Sequence, residues 1–251
     1  MAAQRVLILG ASRGIGRELA RQYKQAGWHV IATARKAQDL KALQSEVDRA
    51  FAMDVADPAS VSGLAWQLDG EKLDLVVHVA GVMDRQPLSE PVTQERFDHI
   101  MHANVLGVLQ AIPQLVSVLK PGTGVLAVIG SIMGSLSRTV TADAVLYRVS
   151  KAAVNMVVRC AQAQYPDLTV VALHPGWVRT DMGGPSATLT PVESVTALRG
   201  VIAILFGAVA FIAPGAFVLS LVLFFAAYML VDGIFAVVGA VLSVSLKTAV
   251  K

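Results

Sequence analysis

Through the first 199 residues, short apolar runs alternate with longer stretches in which apolar positions recur at helical spacing. The runs cover residues 5–9, 29–33, 49–53, 73–79, 124–129 and 168–173. Each is nearly continuous and rich in β-branched residues, as expected of strands covered on both faces. The helical patterns cover 15–25, 37–46, 58–67, 93–119 and 144–164. Strands alternating with crossover helices predict an α/β fold, a doubly wound parallel sheet of Rossmann type. Such a sheet binds ligands beyond the carboxyl ends of its strands. The chemically suggestive residues fall there: Gly10 after the first run, Arg35 after the second, Asp54 after the third, Ala80-Gly81 after the fourth, Ser131 after the fifth and Pro175-Gly176 after the sixth.

After residue 199 the alternation stops. From Gly200 to Leu246 the only formally charged residue is Asp232. Pro214-Gly215 is a turn signal inside this segment. About 20 apolar residues span a bilayer. The arm from Leu198 to Ala213 is therefore short, and the arm from Ala216 to Val244 is ample. The segment 200–246 is expected to be a helical transmembrane hairpin, followed by a cytoplasmic tail, 247–251. Arg199 before it and Lys247 and Lys251 after it place both ends, and the domain 1–199, on the cytoplasmic side of the membrane. Asp232 would need a partner or a water-lined face. The competing reading is a buried core helix with a seventh strand near 216–225.

Composition adds two restrictions. Of the 251 residues, 55% are hydrophobic and 16% charged, with a mean hydropathy of +0.59. The net charge of +3 is small and dispersed, and no basic stripe is interleaved with aromatics, so nucleic acid is not an expected partner. A single cysteine, Cys160, excludes an internal disulfide and the usual thiolate metal sites. His99, His102 and His174 lack a partnered nucleophile or metal-ligand spacing, so they read as structural and no metal is expected. The run 6–9 is too short for a signal peptide, so the first domain is expected in the cytosol.

Two motifs carry chemistry. Gly10-Ala11-Ser12-Arg13-Gly14-Ile15-Gly16 follows the first strand and opens the first helix. Its backbone N–H groups and the helix N-terminus suit a pyrophosphate, and glycine is required where a side chain would block that approach. Alone the run is a weak signal, because a tight strand-to-helix turn needs the same residues. Tyr147 and Lys151 strengthen it. Positions i and i+4 share a helix face, so a phenol and an ammonium stand side by side. A neighbouring cation favours the phenolate and is expected to lower its pKa from about 10. Such a tyrosine can give a proton to a carbonyl oxygen or take one from an alcohol.

With Asp54-Val55, Ala80-Gly81, Asn104, Ser131 and the stretch His174 to Thr180, these motifs make the chain resemble the short-chain dehydrogenase/reductase family from residue 4 to about 199. Within it the stretch Leu173 to Gly184 is similar to the carbonyl-reductase-like branch related to cell–cell signalling C-factor proteins. The resemblance implies that Tyr147 is the acid/base, that Lys151 lowers its pKa and binds the nicotinamide ribose, and that Ser131 holds the substrate oxygen, with Ser135 or Ser137 as competitors. It implies that Asn104 bends its helix and supports a water linking Lys151 to solvent. The cofactor contacts it implies are Gly10, Ser12, Arg13, Gly14, Ile15, Gly16, Asp54, Val55, Ala80, Gly81, Tyr147, Lys151, Pro175, Gly176, Val178 and Thr180. A homodimer is left open. Two departures stand out. The family usually has asparagine before the Ala-Gly pair, where this chain has His78-Val79. Beyond Arg199 a terminal loop and a last strand should follow, and the apolar segment replaces them. That segment resembles two helices of the acid-resistance HdeD/DUF308 membrane family, at Leu198 to Gly207 and Tyr228 to Phe235.

The cofactor choice has its own handle. A carboxylate just after the second strand would pair with the ribose hydroxyls of NAD. Here Arg35 and Lys36 occupy that place, and no carboxylate precedes Asp39. Arg35, with Arg13, offers forked donors to a 2′-phosphate, which favours NADP(H) over NAD(H). Asp54 is placed to accept from the adenine amine, with Val55 presenting its backbone. The expected activity is hydride transfer between NADP(H) and a carbonyl or alcohol substrate by a membrane-tethered enzyme. The stretch 181–188 reads as small and uncharged, which favours an apolar or small carbonyl. The rivals are a non-catalytic nucleotide-binding sensor on a membrane hairpin, and a truncated or fused reductase left inactive without its last strand.

Overall fold

The computed structural model describes residues 3–211 of the protein. Six strands, β1 (Arg5–Leu9), β2 (His29–Ala34), β3 (Arg49–Ala52), β4 (Leu75–His78), β5 (Val125–Ile129) and β6 (Thr169–Leu173), form one sheet in the order β3-β2-β1-β4-β5-β6. Every pairing is parallel. The winding direction reverses between β1 and β4, which opens a crevice at their carboxyl ends. Both faces are covered, as the unbroken apolar runs require. Leu7, Leu9, Val76, Leu126 and Val128 pack with Val108, Ile112, Leu115, Val154 and Val158 on one side. The alternate residues Val6, Ile8, Val30 and Val77 are equally buried and face the other side.

The crossovers are α1 (Gly14–Gln25), α2 (Ala37–Gln44), α3 (Pro58–Ser62), α4 (Leu64–Gln67), α5 (Gln94–Met101), α6 (Gly107–Val116) and α7 (Val145–Gln164). Two expected helices are broken. The stretch 58–67 is divided at Gly63 into α3 and α4. The stretch 93–119 is interrupted by a π-helical turn, His102–Leu106, between α5 and α6. A 3-10 turn, Ile132–Gly134, follows β5. The fourth strand is shorter than its apolar run, Leu73 retaining only a bridge to Leu119.

Among the described residues no strand pairs with the outer edge of β6, and a side chain occupies it. Gln162 on α7 donates from Nε2 to the Leu168 carbonyl at 2.9 Å and accepts from the Val170 N–H at 2.8 Å. The amide thereby occupies positions that a further strand would use, a way of blunting a sheet edge.

The last described helix, α8 (Pro191–Phe211), begins with a capping box: Thr190 N–H donates to Glu193, and Glu193 N–H donates to the Thr190 hydroxyl. Its inner face buries Val195, Leu198 and Ile202, and Thr196 and Arg199 reach Gln22 of α1. The helix passes residues 199 and 200 without interruption, so the expected domain limit falls within it. The chain divides into compact units at Met1–Ala203 and Ile204–Lys251. Among the described residues no helix is long and apolar enough to cross a membrane. The turn at Pro214-Gly215, the second arm of the hairpin, Asp232, the tail 247–251 and any seventh strand lie outside the described residues.

Candidate active site

The glycine loop is shaped by close approach. Gly10 has φ of +89°, and a Cβ there would stand 2.9 Å from the backbone of Ala80. A Cβ on Gly16 would overlap the Gly10 carbonyl. The loop, α1 and the end of β4 are thus packed as tightly as backbones allow. Thr33 fixes the loop from β2, its hydroxyl accepting from Gly10 N–H at 3.1 Å and its carbonyl from Ala11 N–H at 2.8 Å. No side chain caps the N-terminus of α1, so its first-turn N–H groups, with Ser12, Gly14 and Ile15 around them, face the crevice as anion donors. At the ends of β2 and β3, Arg35 lies 3.9 Å from Asp54, whose other oxygen accepts from Ala56 N–H at 3.0 Å. Val55 is buried beneath.

Tyr147, Lys151, Ser131 and Asn104 are brought around the ends of β4 and β5. Tyr147 and Lys151 lie on the inner face of α7, with 7% and 6% of their surfaces exposed. Lys151 Nζ donates to the Ile129 carbonyl at 2.8 Å and sits 5.6 Å from the centre of the Tyr147 ring. Ser131 caps the 3-10 turn, accepting from Met133 N–H at 3.1 Å. Asn104 lies in the π-helical turn with its amide fully used: it accepts from Val82 N–H at 2.7 Å and donates to the Val82 carbonyl and the Ser150 hydroxyl, both at 2.9 Å. The extra residue of a π turn swings this side chain off the regular helix path, a feature common at functional sites. The Asn104 oxygen comes within 3.0 Å of where a Gly81 Cβ would stand, so a side chain there would press on the engaged Asn104 amide.

The electrostatics differ from expectation at the tyrosine. Burial pushes the Tyr147 phenol above its usual range, and hydrogen bonding to Ser131 only partly offsets this. The expected lowering by Lys151 does not dominate, because that ammonium stands over the ring and is itself buried and spent on a carbonyl. Burial pulls Lys151 down to about 8. His78, at the end of β4, is 2% exposed and its Nε2 has no hydrogen-bond partner. Burial first, and the Lys151 charge second, depress its pKa to about 4.

The loop after β6 completes the site. Gly176 has φ of +81° and lies against Leu189. Val178 is bridged to Leu189, and the Pro175 carbonyl accepts from Ser194 of α8 at 2.6 Å. The Thr180 methyl stands 3.0 Å from the position of a Gly14 Cβ. Asp181, the exception to the uncharged character of this stretch, pairs with Arg13 at 2.5 Å. Arg85, after β4, donates to the Met182 carbonyl at 2.6 Å.

Residues 4–188 match the family model described as short chain dehydrogenase. The chain belongs to the short-chain dehydrogenase family. It is 30% identical to the NADPH-dependent pterin aldehyde reductase of Arabidopsis thaliana, over 82% of this chain and 89% of that one. It is 37% identical to the C-signal protein of Myxococcus xanthus, over 52% of this chain and 80% of that one. The fold superimposes on a carbonyl reductase from Pseudomonas aeruginosa PAO1 in complex with NADP with a TM-score of 0.72 and 32% identity, covering 82% of this chain and 93% of that one. Residues 198–248 match a second model, a short repeat of unknown function, DUF308.

In this short-chain dehydrogenase, several supports of the site lie outside its motif residues. Thr33 orders the glycine loop. Ser150, wholly buried, links Asn104 to the Tyr147 carbonyl. Its place between Tyr147 and Lys151 on the inward face was a usable signal. Arg85 and Asp181 had none, since their partners are distant in sequence. His174 accepts at Nδ1 from Ile132 N–H at 3.3 Å.

Proposed function

We propose that this chain is an NADP(H)-dependent reductase of carbonyl compounds, anchored to a membrane by its apolar C-terminal segment. The observation that carries the reading is the convergence of Ser131, Tyr147, Lys151 and the bound Asn104 amide at the crevice beside the glycine loop. A nucleotide fits the chain's own features: the backbone N–H groups of the glycine loop and the uncapped start of α1 for the pyrophosphate, Arg13 and Arg35 for a 2′-phosphate, and Asp54 for the adenine amine. When bound, the reduced nicotinamide supplies the hydride for the carbonyl carbon. Ser131 holds the carbonyl oxygen, and Tyr147 gives that oxygen its phenolic proton. Burial holds this proton more tightly than in a free phenol, so the phenol is protonated at neutral pH and the charge of the Lys151 ammonium is what would ease its release. Lys151 holds its place through Ile129 and offers its remaining protons to the ribose and to the tyrosinate left behind. The carbonyl reductase and aldehyde reductase among its relatives support this substrate class, and the DUF308 match supports the anchor.

The test is NADPH oxidation by detergent-solubilised protein offered aldehydes, ketones and quinones. Turnover with at least one carbonyl is expected, and Tyr147→Phe should reduce it by about 10²–10⁴ while NADPH still binds. Undiminished turnover in that variant removes Tyr147 from its role. NADPH binding without turnover on any carbonyl would favour the sensor reading instead.

A further inference from the structure

We propose that Asp181 sets the preference between phosphorylated and unphosphorylated dinucleotide, by competing with the 2′-phosphate for Arg13. The inference rests on the NADP(H) reading above. It starts from the sheet order. β1 and β6 are separated by β4 and β5, about three strand spacings or roughly 14 Å. The loop after β6 nevertheless meets the glycine loop, with Thr180 against Gly14 and the Asp181 carboxylate on the Arg13 guanidinium at 2.5 Å. It must therefore reach back across the ends of β5 and β4, over the crevice.

Asp181 is held there by a built turn. Gly183 N–H donates to the Thr180 hydroxyl at 3.1 Å, Gly184 N–H to the Thr180 carbonyl at 2.8 Å, and the Trp177 indole to the Gly183 carbonyl at 2.9 Å. The carboxylate is thus presented to Arg13 by a structured loop. The two side chains are 74% and 71% exposed, and pairs this exposed change an equilibrium by no more than about five-fold. A 2′-phosphate can displace such a partner, but binding then loses the bridge and leaves a carboxylate beside the phosphate. A dinucleotide with a free 2′-hydroxyl leaves the bridge intact. Arg35 has a carboxylate neighbour too, but Asp54 stands farther off, at 3.9 Å, and has the adenine to serve.

The measurement is direct binding of NADPH and NADH, followed by nucleotide fluorescence, to the full chain in detergent. The variants are D181N, R13A and the double variant. D181N should tighten NADPH about two- to five-fold and leave NADH unchanged. R13A should weaken NADPH alone, and the gain from D181N should shrink in its background. Equal tightening of both nucleotides by D181N would show that Asp181 only closes the loop, and no tightening of NADPH would show that it does not compete; either overturns the proposal while leaving the NADP(H) reading intact. An R13A protein with unaltered NADPH affinity would remove Arg13 from the phosphate site and overturn the proposal together with that part of the reading.

Discussion

Lys151 and His78 show how burial sets proton affinity at single residues. Lys151 is a buried cation with one carbonyl partner, and its pKa falls to about 8. If its ammonium supports the reduction, kcat/KM for carbonyl reduction should decline as pH rises through about 8. Lys151→Arg should lose that limb, because a guanidinium stays charged; a wild-type profile flat through that range would remove Lys151 from the electrostatic role. His78 is depressed to about 4 from 6.5. Between those values the unfolded chain binds a proton that the folded chain does not. Its contribution to stability is therefore complete above pH 6.5 and is lost as pH falls through 4. His78→Leu should flatten the acid limb of a denaturant-midpoint profile, and an unchanged limb would show that other groups set it.

At the scale of elements, turns and edges decide more than helices. The apolar periodicity of 93–119 is continuous, so periodicity does not show the π turn; only the family resemblance marked Asn104 as a place where the helix bends. That turn exists because the Asn104 amide satisfies both backbone groups of Val82 and the Ser150 hydroxyl at once, a tertiary arrangement. The strands were legible because burial on both faces leaves unbroken β-branched runs. The edge of β6 depends on Gln162. Gln162→Leu would leave the Val170 N–H and Leu168 carbonyl without side-chain partners, at a cost of about 1–3 kcal/mol, and reopen a pairing edge. A lowered urea midpoint with concentration-dependent association is the expected result; a variant as stable and monodisperse as wild type would show that the cap is dispensable.

For the whole molecule, the change at residue 199 is plain in composition, yet the first compact unit runs on to Ala203, and Ile202 belongs to the inner face of α8. A truncation after Ala203 should be soluble and bind NADPH, while one after Arg199 loses a buried isoleucine and should be less stable, by roughly 2–5 kcal/mol if side-chain loss is the guide. The full chain should stay with membranes through an alkaline carbonate wash. Release as a monodisperse soluble protein would overturn the anchor and return the apolar segment to the sheet.

The sequence by itself determined the parallel α/β architecture, the glycine loop, the Tyr147–Lys151 pair and the arginines at the adenosine end. Each of these is written in local spacing or in an uninterrupted apolar run, and such signals survive without knowledge of neighbours. Only the tertiary structure decided the raised phenol of Tyr147, the burial of His78 with its Nε2 unpartnered among the described residues, the Gln162 edge cap and the Arg13–Asp181 bridge. Each depends on which distant groups share a buried or narrow space, and burial and distance are set by packing rather than by spacing along the chain.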